Sequence, residues 1–420
     1  MPHIDLQGYR VPDSPLFPAD VGQRILESLT AGTPRTFSLY VHIPFCTVRC
    51  GYCDFNTYTA TDFGPGASHD TYATTVLQEL EMARERMDAS GIPNRPIHTV
   101  YFGGGTPTLL PATDLVRIVE QARELFGIKP QAEITTEANP DTVTEDSIAE
   151  LAEGGFTRLS LGMQSAVGHV LKVLDRSHTP ANIPPAVTWA KQAGLEVSLD
   201  LIFGTPGESL ADWQHSLEVA IEQAPEHLSA YGLIVEQGTK LAAQIRRGTY
   251  PDTDGDDQAD KYVIAEELLG QAGYRWYEIS NWAYDPEGTG VHRAEHNLAY
   301  WRNQDWWGAG PGAHSHLAGI RWWNAKHPLA YAQRLSSGVP AAVGMEQPDE
   351  AERHLENIML GIRLSDGLAI SELSPTEQEQ IPELLRQGLL EPGAVKKGRL
   401  VPTLHGRLLG DAITRQLADI

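Results

Sequence analysis

The chain contains very little cysteine: only three of its 420 residues are cysteines, at positions 46, 50 and 53. An odd number of thiols cannot pair off, which argues against a disulfide framework of the kind found in small secreted proteins. All three lie in one short loop with Cys-x3-Cys-x2-Cys spacing, and no other thiol is present. The loop is therefore predicted to bind a soft metal through its thiolates.

The chain is also poor in positive charge, and it has no long apolar run. It carries 32 Lys and Arg against 55 Asp and Glu, a formal net charge of −23. This balance disfavours nucleic acids and anionic lipid surfaces as partners, because both need clustered cations. No segment has the length of a membrane span, and the N-terminus lacks the basic start and apolar run of a signal peptide. Together with three free thiols, this predicts a cytoplasmic protein without a membrane span.

A 4Fe-4S cluster is the metal group that best fits three clustered thiolates. Such a cluster normally takes four protein sulfurs, so three would leave one iron open to an exchangeable small molecule. The alternative is a structural zinc ion with His42 as its fourth ligand, although structural zinc loops usually come as two separated pairs.

From residue 37 onward, apolar and β-branched runs alternate with segments of helical period. One such segment is predicted to be a helix capped by Thr113 and ended by Gly127. Alternating strands and helices imply an α/β protein with a parallel sheet, and six units suggest a partial (β/α)6 barrel of the triosephosphate isomerase type. The six predicted strands are residues 37–43, 97–102, 132–137, 158–162, 195–203 and 228–234.

Composition divides the chain into four predicted parts. Residues 1–36 are rich in proline and are predicted to be an N-terminal arm, and residues 37–248 form the partial barrel. Residues 249–335 are rich in tryptophan and histidine and are predicted to close the barrel. Residues 351–420 are predicted to form a mainly helical, winged-helix-like domain, whose slightly acidic balance favours contact with protein over contact with DNA.

In a barrel of this type, functional residues lie at the carboxyl ends of the strands. The glycine run at 103–105 follows the second predicted strand, and Glu137, Gln164 and Asp200 follow or interrupt later ones. Because glycine has no side chain, the run is expected to let backbone N–H groups approach the carboxylate and amine of a ligand.

The cysteine loop, with the aromatic Tyr52 before its last cysteine, resembles the radical S-adenosylmethionine (SAM) superfamily. The flanking sequences YVHIPF at 40–45 and YFGGGTPT at 101–108 narrow the resemblance to the oxygen-independent coproporphyrinogen III dehydrogenases and their heme-chaperone relatives, the HemW family. The resemblance extends from about residue 37 to the C-terminus. It implies a radical SAM core whose 4Fe-4S cluster is held by Cys46, Cys50 and Cys53, followed by a HemN-type helical domain.

The resemblance also implies which residues contact SAM. In the family, the cofactor is contacted at positions that match Tyr40, Tyr52, Gly104, Gly105, Thr106, Glu137, Gln164, Arg176 and Asp200. Glu137 would pair with the sulfonium or ammonium group of the cofactor. Arg176 and Asp200 would serve a second ligand position that is seen in the dehydrogenases.

Two features separate the chaperones from the dehydrogenases. The dehydrogenases carry a fourth cysteine two positions after the third, where this chain has Phe55. The HemW family has a His-Asn-x-x-Tyr-Trp signature, which implies heme contacts at His296, Asn297, Tyr300 and Trp301. Histidine can ligate heme iron and aromatic rings can stack on the macrocycle. Without the resemblance, a packed aromatic layer closing the barrel would be the simpler interpretation.

The resemblance therefore implies a heme chaperone that delivers heme to an acceptor protein, such as a respiratory membrane enzyme, without coproporphyrinogen dehydrogenase activity. Two alternatives remain. One is a dehydrogenase that uses a 5'-deoxyadenosyl radical to oxidise propionate side chains. The other is an iron-sulfur protein whose cluster only orders the fold, while the C-terminal domain binds a partner.

Overall fold

The computed structural model describes residues 17–18, 20–30 and 35–418. Much of the predicted N-terminal arm, residues 1–16, 19 and 31–34, lies outside the described residues. The described part of the arm contains helix α1 (Val21–Thr30), whose Val21 and Ile25 are buried in the main hydrophobic core.

Six parallel strands form the centre of the fold, and they follow chain order across the sheet. Each neighbouring pair is parallel. The strands are β1 (Phe37–Ile43), β2 (Ile97–Gly104), β3 (Ile128–Ala138), β4 (Arg158–Gln164), β5 (Glu196–Phe203) and β6 (His227–Gly232). All six predicted strands and the α/β fold class are thus confirmed, with the largest difference at the start of β3.

Helices connect these strands, as parallel β-α-β units require. They are α2 (His69–Ala89), α3 (Ala112–Phe126), α4 (Glu145–Glu153), α5 (Gly168–Val173), α6 (Ile183–Gln192) and α7 (Leu210–Glu222), and after β6 follow α8 (Lys240–Arg246) and α9 (Gly255–Gln271). The predicted end of α3 at Gly127 is confirmed, but the predicted cap Thr113 is wrong. Pro111 takes the cap position, so the helix begins at Ala112 and Thr113 lies in its first turn.

The sheet continues past the parallel strands at both edges, which the sequence did not predict. These outer strands are β7 (Tyr274–Glu278), β8 (Asn281–Tyr284), β9 (Asp305–Ala309), β10 (His314–Leu317), β11 (Ile320–Asn324) and β12 (Ala342–Glu346). Strand β8 pairs with β6, and β9 pairs with β1. The tryptophan-rich segment therefore flanks both sides of a twelve-stranded sheet, whose two ends are β12 and β7 in the part of the chain that the structure describes.

Two helices complete the tryptophan-rich segment: α10 (Glu295–Trp301) and α11 (Pro328–Ser336). Helix α10 lies against the amino ends of the parallel strands. The backbone N–H groups of Glu295 and His296 each donate to the carboxylate of Glu133 on β3, at 3.0 Å. Because the first N–H groups of a helix have no partner within it, this carboxylate fixes the start of α10 beneath the sheet.

The C-terminal region has a hydrophobic core of its own, which includes Ile358, Leu384, Leu400 and Ile413. Its elements are α12 (Glu350–Gly361), α13 (Pro375–Gln378), α14 (Ile381–Arg386), α15 (Pro392–Val395), α16 (Leu404–Leu408) and α17 (Gly410–Ala418), with the antiparallel pair β13 (Leu368–Ala369) and β14 (Arg399–Leu400). Such a core suits the predicted, mainly helical C-terminal domain. The bounds predicted for the four parts of the chain stay predictions. Among the described residues, none of the helices combines the length and apolar character needed to cross a bilayer.

A buried ion pair joins α9 to the loop after β5. The side chains of Lys261 and Glu208 are both 0% exposed, and Lys261 Nζ lies 3.3 Å from Glu208 Oε2. We expect Lys261→Met to lower the free energy of unfolding by about 3 kcal/mol, because the carboxylate stays buried without its cation.

The matched control is Lys240→Met, which removes an ion pair with Asp175 in which the lysine side chain is 58% exposed. It should cost less than about 1 kcal/mol. Urea unfolding of both variants measures the difference, and equal losses would contradict the structural role of the buried pair.

Candidate functional site

A cavity of about 420 Å³, called here the outer cavity, lies at the carboxyl ends of the parallel strands. This is the end at which barrel folds of this type carry their functional residues. The three cysteines and eight of the nine predicted SAM positions line it. These residues are Cys46, Cys50, Cys53, Tyr52, Gly104, Gly105, Thr106, Glu137, Gln164, Arg176 and Asp200.

Backbone hydrogen bonds hold the cysteine loop against its neighbours. The N–H of Cys46 donates to the carbonyl of Tyr58, and that of Gly51 donates to the carbonyl of Leu174. The N–H of Leu241, in α8, donates to the carbonyl of Gly51 at 2.8 Å. The loop is therefore ordered by the protein chain itself.

The three thiols are free and partly exposed. Burial raises the pKa of Cys46 to about 11, so a metal must displace its proton. Within the described residues, no three Cys, His, Asp or Glu side chains are grouped closely enough to hold a single metal ion. Three cysteine thiols in one ordered loop are the type of donor that iron-sulfur clusters take.

His42 is not placed as a zinc ligand. Its Nδ1 lies 3.0 Å from the Tyr40 hydroxyl and its Nε2 lies 3.0 Å from the carbonyl oxygen of Asn56, so both ring nitrogens are hydrogen-bonded. Burial lowers its pKa to about 4, and the ring is neutral at physiological pH. The ring also fills the space beside Gly104, where a Cβ atom would lie 2.4 Å from His42 Cε1. This geometry disfavours the zinc alternative.

The glycine run packs directly against the cysteine loop. The N–H of Gly105 donates to the carbonyl of Ile43, and that of Thr106 donates to the carbonyl of Phe45, both at 2.7 Å. A Cβ atom on Gly105 would lie 2.4 Å from the Phe45 oxygen. The expectation that the run offers free N–H groups to a ligand is therefore wrong for Gly104 and Gly105, because the first donates to Glu137 and the second to Ile43. Glycine is needed here for the close approach itself.

Two buried carboxylates face the outer cavity. Glu137 accepts hydrogen bonds from the Tyr101 hydroxyl at 2.8 Å and the Gly104 N–H at 3.2 Å, and burial raises its pKa to about 7. Asp200 accepts a hydrogen bond from Ser160 Oγ at 2.8 Å, and burial raises its pKa as well. A cation in the cavity would favour the ionised form of both groups, so the site is suited to a positively charged ligand.

Arg176 connects the cysteine loop to two strands. Its Nη1 lies 3.4 Å from Cys50 Sγ, and its Nη2 donates to the Gly162 carbonyl at 3.1 Å and to Asn139 Oδ1 at 2.5 Å. Most of its donors are therefore used within the protein.

Among the lining residues that sequence reasoning missed, Asn139 and Tyr101 bond directly to predicted cofactor positions. Asn139 accepts from Arg176 and donates to Thr106 Oγ1 at 3.2 Å, so it joins two predicted cofactor positions. Its place two residues after Glu137, at a strand end, was a usable signal. Tyr101 belongs to the motif at 101–108 but gave no signal of its own, because an aromatic residue inside a strand is usually a core residue.

A second cavity of about 190 Å³, called here the inner cavity, lies between α10 and the strands. Polar side chains dominate its wall. The lining residues are Tyr40, Tyr101, Thr135, Arg158, Ser160, Ser198, Asp200, His227, Ser229, Tyr231, Asn281, Ala294, His296, Asn297 and Tyr300. Tyr40, the ninth predicted SAM position, thus faces the inner cavity and stacks on Tyr101, with ring centroids 6.4 Å apart.

His296 is an interior residue, only 2% exposed. Its Nδ1 lies 2.8 Å from Thr99 Oγ1 and its Nε2 lies 2.8 Å from the Tyr300 hydroxyl. Its ring stacks on Tyr101, with centroids 5.1 Å apart, and burial lowers its pKa to about 3. Ligation of heme iron by His296 would require one of its two hydrogen bonds to break.

The other predicted heme residues are also held within the fold. Asn297 Nδ2 donates to Glu278 Oε1 at 2.8 Å. Tyr300 lies edge-on to His296, as expected for neighbours four positions apart on a helix. Trp301 does not line the inner cavity and packs in a small apolar cluster with Leu298. The structure therefore brings three of the four predicted heme residues together and places Trp301 apart.

Comparisons with known proteins agree with this arrangement. The sequence profile of the Radical SAM superfamily matches residues 40–220, which hold the cysteine loop and strands β2 to β5. The solved structure of coproporphyrinogen III oxidase (HemN) from Escherichia coli, a radical SAM enzyme, is similar with a TM-score of 0.76 at 22% identity. The match covers 94% of this chain and 93% of that chain. At this identity the likeness shows the fold.

Curated relatives extend the likeness to nearly the whole chain. Heme chaperone HemW of Synechocystis is 35% identical over 82% of this chain and 82% of its own length. Heme chaperone HemW of Mycobacterium tuberculosis is 44% identical over 91% of this chain and 95% of its own length. This chain belongs to the HemW family of the radical SAM superfamily.

Proposed function

We propose that the protein is a heme chaperone, which binds heme and transfers it to an acceptor protein. The observation that carries this proposal is the relation to HemW proteins along nearly the whole chain, C-terminal region included. Phe55 supports it, because it replaces the cysteine that the dehydrogenases carry at this place. We propose that the acceptor is a respiratory membrane enzyme. We also propose that the protein acts in the cytoplasm.

We infer that Cys46, Cys50 and Cys53, which line the outer cavity, would hold a 4Fe-4S cluster and leave one of its irons without a protein ligand. When bound, the cluster supplies redox chemistry and an open coordination position. The chain contributes the ordered loop and the Arg176 guanidinium, whose Nη1 lies 3.4 Å from Cys50 Sγ.

SAM is the proposed ligand of the outer cavity, whose volume of about 420 Å³ lies within the usual range for cofactor sites. The proposed contacts are Tyr52, Gly104, Gly105, Thr106, Glu137, Gln164, Arg176 and Asp200, with Tyr40 behind them in contact with Tyr101. Glu137, in its ionised form, pairs with the sulfonium or ammonium group. The glycine run holds the wall in place through its contact with the cysteine loop.

Heme contact by His296, Asn297, Tyr300 and Trp301 stays a prediction. The inner cavity, at about 190 Å³, is smaller than the roughly 300–1,000 Å³ of sites that hold drug-sized ligands. Contact between heme and His296 therefore needs α10 to move away from the strands.

The dehydrogenase is the second candidate, because the outer cavity keeps eight of the nine proposed SAM contacts. We expect the reconstituted protein to bind heme with a Soret band, to pass it to an acceptor apoprotein, and to leave coproporphyrinogen III unchanged. Anaerobic reconstitution, heme titration and product analysis on one sample measure all three. Conversion to protoporphyrinogen would replace the chaperone proposal, and a protein with a cluster but without heme affinity would support the purely structural role of the cluster.

We expect Cys46→Ala, Cys50→Ala and Cys53→Ala each to lose the broad absorption near about 400 nm that thiolate-bound iron-sulfur clusters show. The chain has no spare cysteine to take over. Val48→Ala, in the same loop, is the control and should keep the cluster. The three-thiolate assignment fails if any of the cysteine variants retains four irons and four sulfides per chain.

The pKa of Glu137, raised to about 7 by burial, predicts a pH dependence of SAM binding. The carboxylate is charged above this pH and neutral below it, so affinity for the cationic cofactor should fall as the pH drops through about 7. Glu137→Gln should bind SAM about tenfold or more weakly at pH 8 and show a flat profile. Equilibrium dialysis between pH 6 and pH 8 checks this. If the affinity of the variant for SAM depends on pH as that of the unmodified protein does, Glu137 does not contact SAM.

A further inference from the structure

Four large apolar side chains stand exposed at the mouth of the outer cavity. They are Val48, Phe55, Tyr231 and Ile234, with exposed fractions of 45%, 60%, 45% and 72%. Val48 and Phe55 belong to the cysteine loop, and Tyr231 and Ile234 to the end of β6 and the segment after it. We call this group the apolar rim. Single exposed apolar residues need no explanation, but a group around one opening marks a binding surface.

We propose that the apolar rim holds a face of the heme macrocycle, so that heme docks over the mouth of the outer cavity. The proposal rests on the chaperone function proposed above and assigns a site to it. A porphyrin is flat and largely apolar, and burying its face against Phe55 and Ile234 removes apolar surface of both partners from water. A chaperone must also release heme to another protein, which a site at an open mouth allows.

A cation beside the rim can pair with a propionate of heme. Arg49 follows Val48, and its exposed guanidinium lies 3.5 Å from the carbonyl oxygen of Phe55. Among the described residues, no carboxylate pairs with it. Lys240 lies on the far side of the same loop, where Asp175 holds it beside Gly51. The charge of Lys240 is thus balanced by Asp175, and Asp54 and Glu236 line the same mouth, so Arg49 is the cation there that can pair with a propionate.

The two cavities differ in their suitability for heme. The inner cavity is bounded by α10, whose first turn is bound to Glu133, and His296 there has both ring nitrogens occupied. The apolar rim lies toward the carboxyl end of the strands, where its side chains are exposed, and it shares only Tyr231 with the inner cavity. In this arrangement His296 stacks on Tyr101 below the docked heme, and heme contact at His296 is the competing site that the test separates from the rim.

The test compares rim variants with a matched control. The double variant Phe55→Gln, Ile234→Gln should bind heme about tenfold or more weakly than the unmodified protein, in a titration followed at the Soret band. The control is Val343→Gln, Met359→Gln, which changes two exposed apolar residues elsewhere, 43% and 39% exposed. It should change heme affinity by less than about twofold. Iron and sulfide content should stay the same in both.

The variant Arg49→Gln tests the contribution of the propionates to heme binding separately from that of the macrocycle. It should weaken binding of heme and leave binding of heme dimethyl ester unchanged, because the ester carries no propionate charge. His296→Ala serves as the third arm and should weaken heme binding less than the rim double variant does, because His296 lies on the far side of Tyr101 from the rim. An unaltered rim double variant, together with a loss of heme by His296→Ala, would overturn the rim proposal and leave the chaperone function intact.

Two further outcomes are distinct. A rim double variant that binds heme normally but no longer passes it to the acceptor would identify the rim as a protein-docking surface and overturn the heme proposal. Absence of heme binding by the unmodified protein would overturn the chaperone function itself. Reduced affinity of the rim double variant and of Arg49→Gln, with a smaller loss in His296→Ala than in the rim double variant, supports the proposal.

Discussion

The contact between the glycine run and the cysteine loop is the constraint on which the site depends. Gly105 and Thr106 donate to the carbonyls of Ile43 and Phe45, so the end of β2 is bonded to the backbone that leads into the first cysteine. Gly104, with φ of +108°, leaves room for the ring of His42, which in turn reaches the loop at the carbonyl of Asn56. Any side chain at Gly104 would displace this ring. The metal loop and the wall of the cofactor cavity are therefore one structural unit, and a change in either disturbs both.

Aromatic rings connect this unit to the opposite end of the strands. Tyr40 and His296 both stack on Tyr101, and the Tyr101 hydroxyl donates to Glu137 in the outer cavity. Buried polar groups are stabilising only when they are paired, and here each ring carries a partner for its hydroxyl or nitrogen. Packing thus explains much of the His-Asn-x-x-Tyr-Trp signature, since the ring of His296 is the hydrogen-bond partner of both the Thr99 and the Tyr300 hydroxyl.

The parallel core could be predicted from the sequence because most of its strands are buried runs of apolar and β-branched residues between helices of clear period. The outer strands could not, because several are four or five residues long and rich in tryptophan, which is equally common in other buried structure. The cysteines and Glu137 were found by motif and by position at strand ends. The burial of His296 and the internal use of the glycine N–H groups depend on contacts between segments far apart in sequence, and no local pattern carries that information.

The fold is shared with an enzyme of different activity, so the difference between chaperone and dehydrogenase must lie in side chains placed on a common frame. The interior offers little room for such a difference, because the carboxylates, Arg176 and Asn139 are bound to one another and to the strands. The mouth of the outer cavity is free to vary. Phe55 illustrates this, because a thiol at this position would be a reactive group beside the cluster, whereas an exposed ring offers only apolar surface. An apolar ring in place of a reactive thiol at the mouth is therefore a physical way in which one fold can serve both an enzyme that modifies a porphyrin and a protein that carries one.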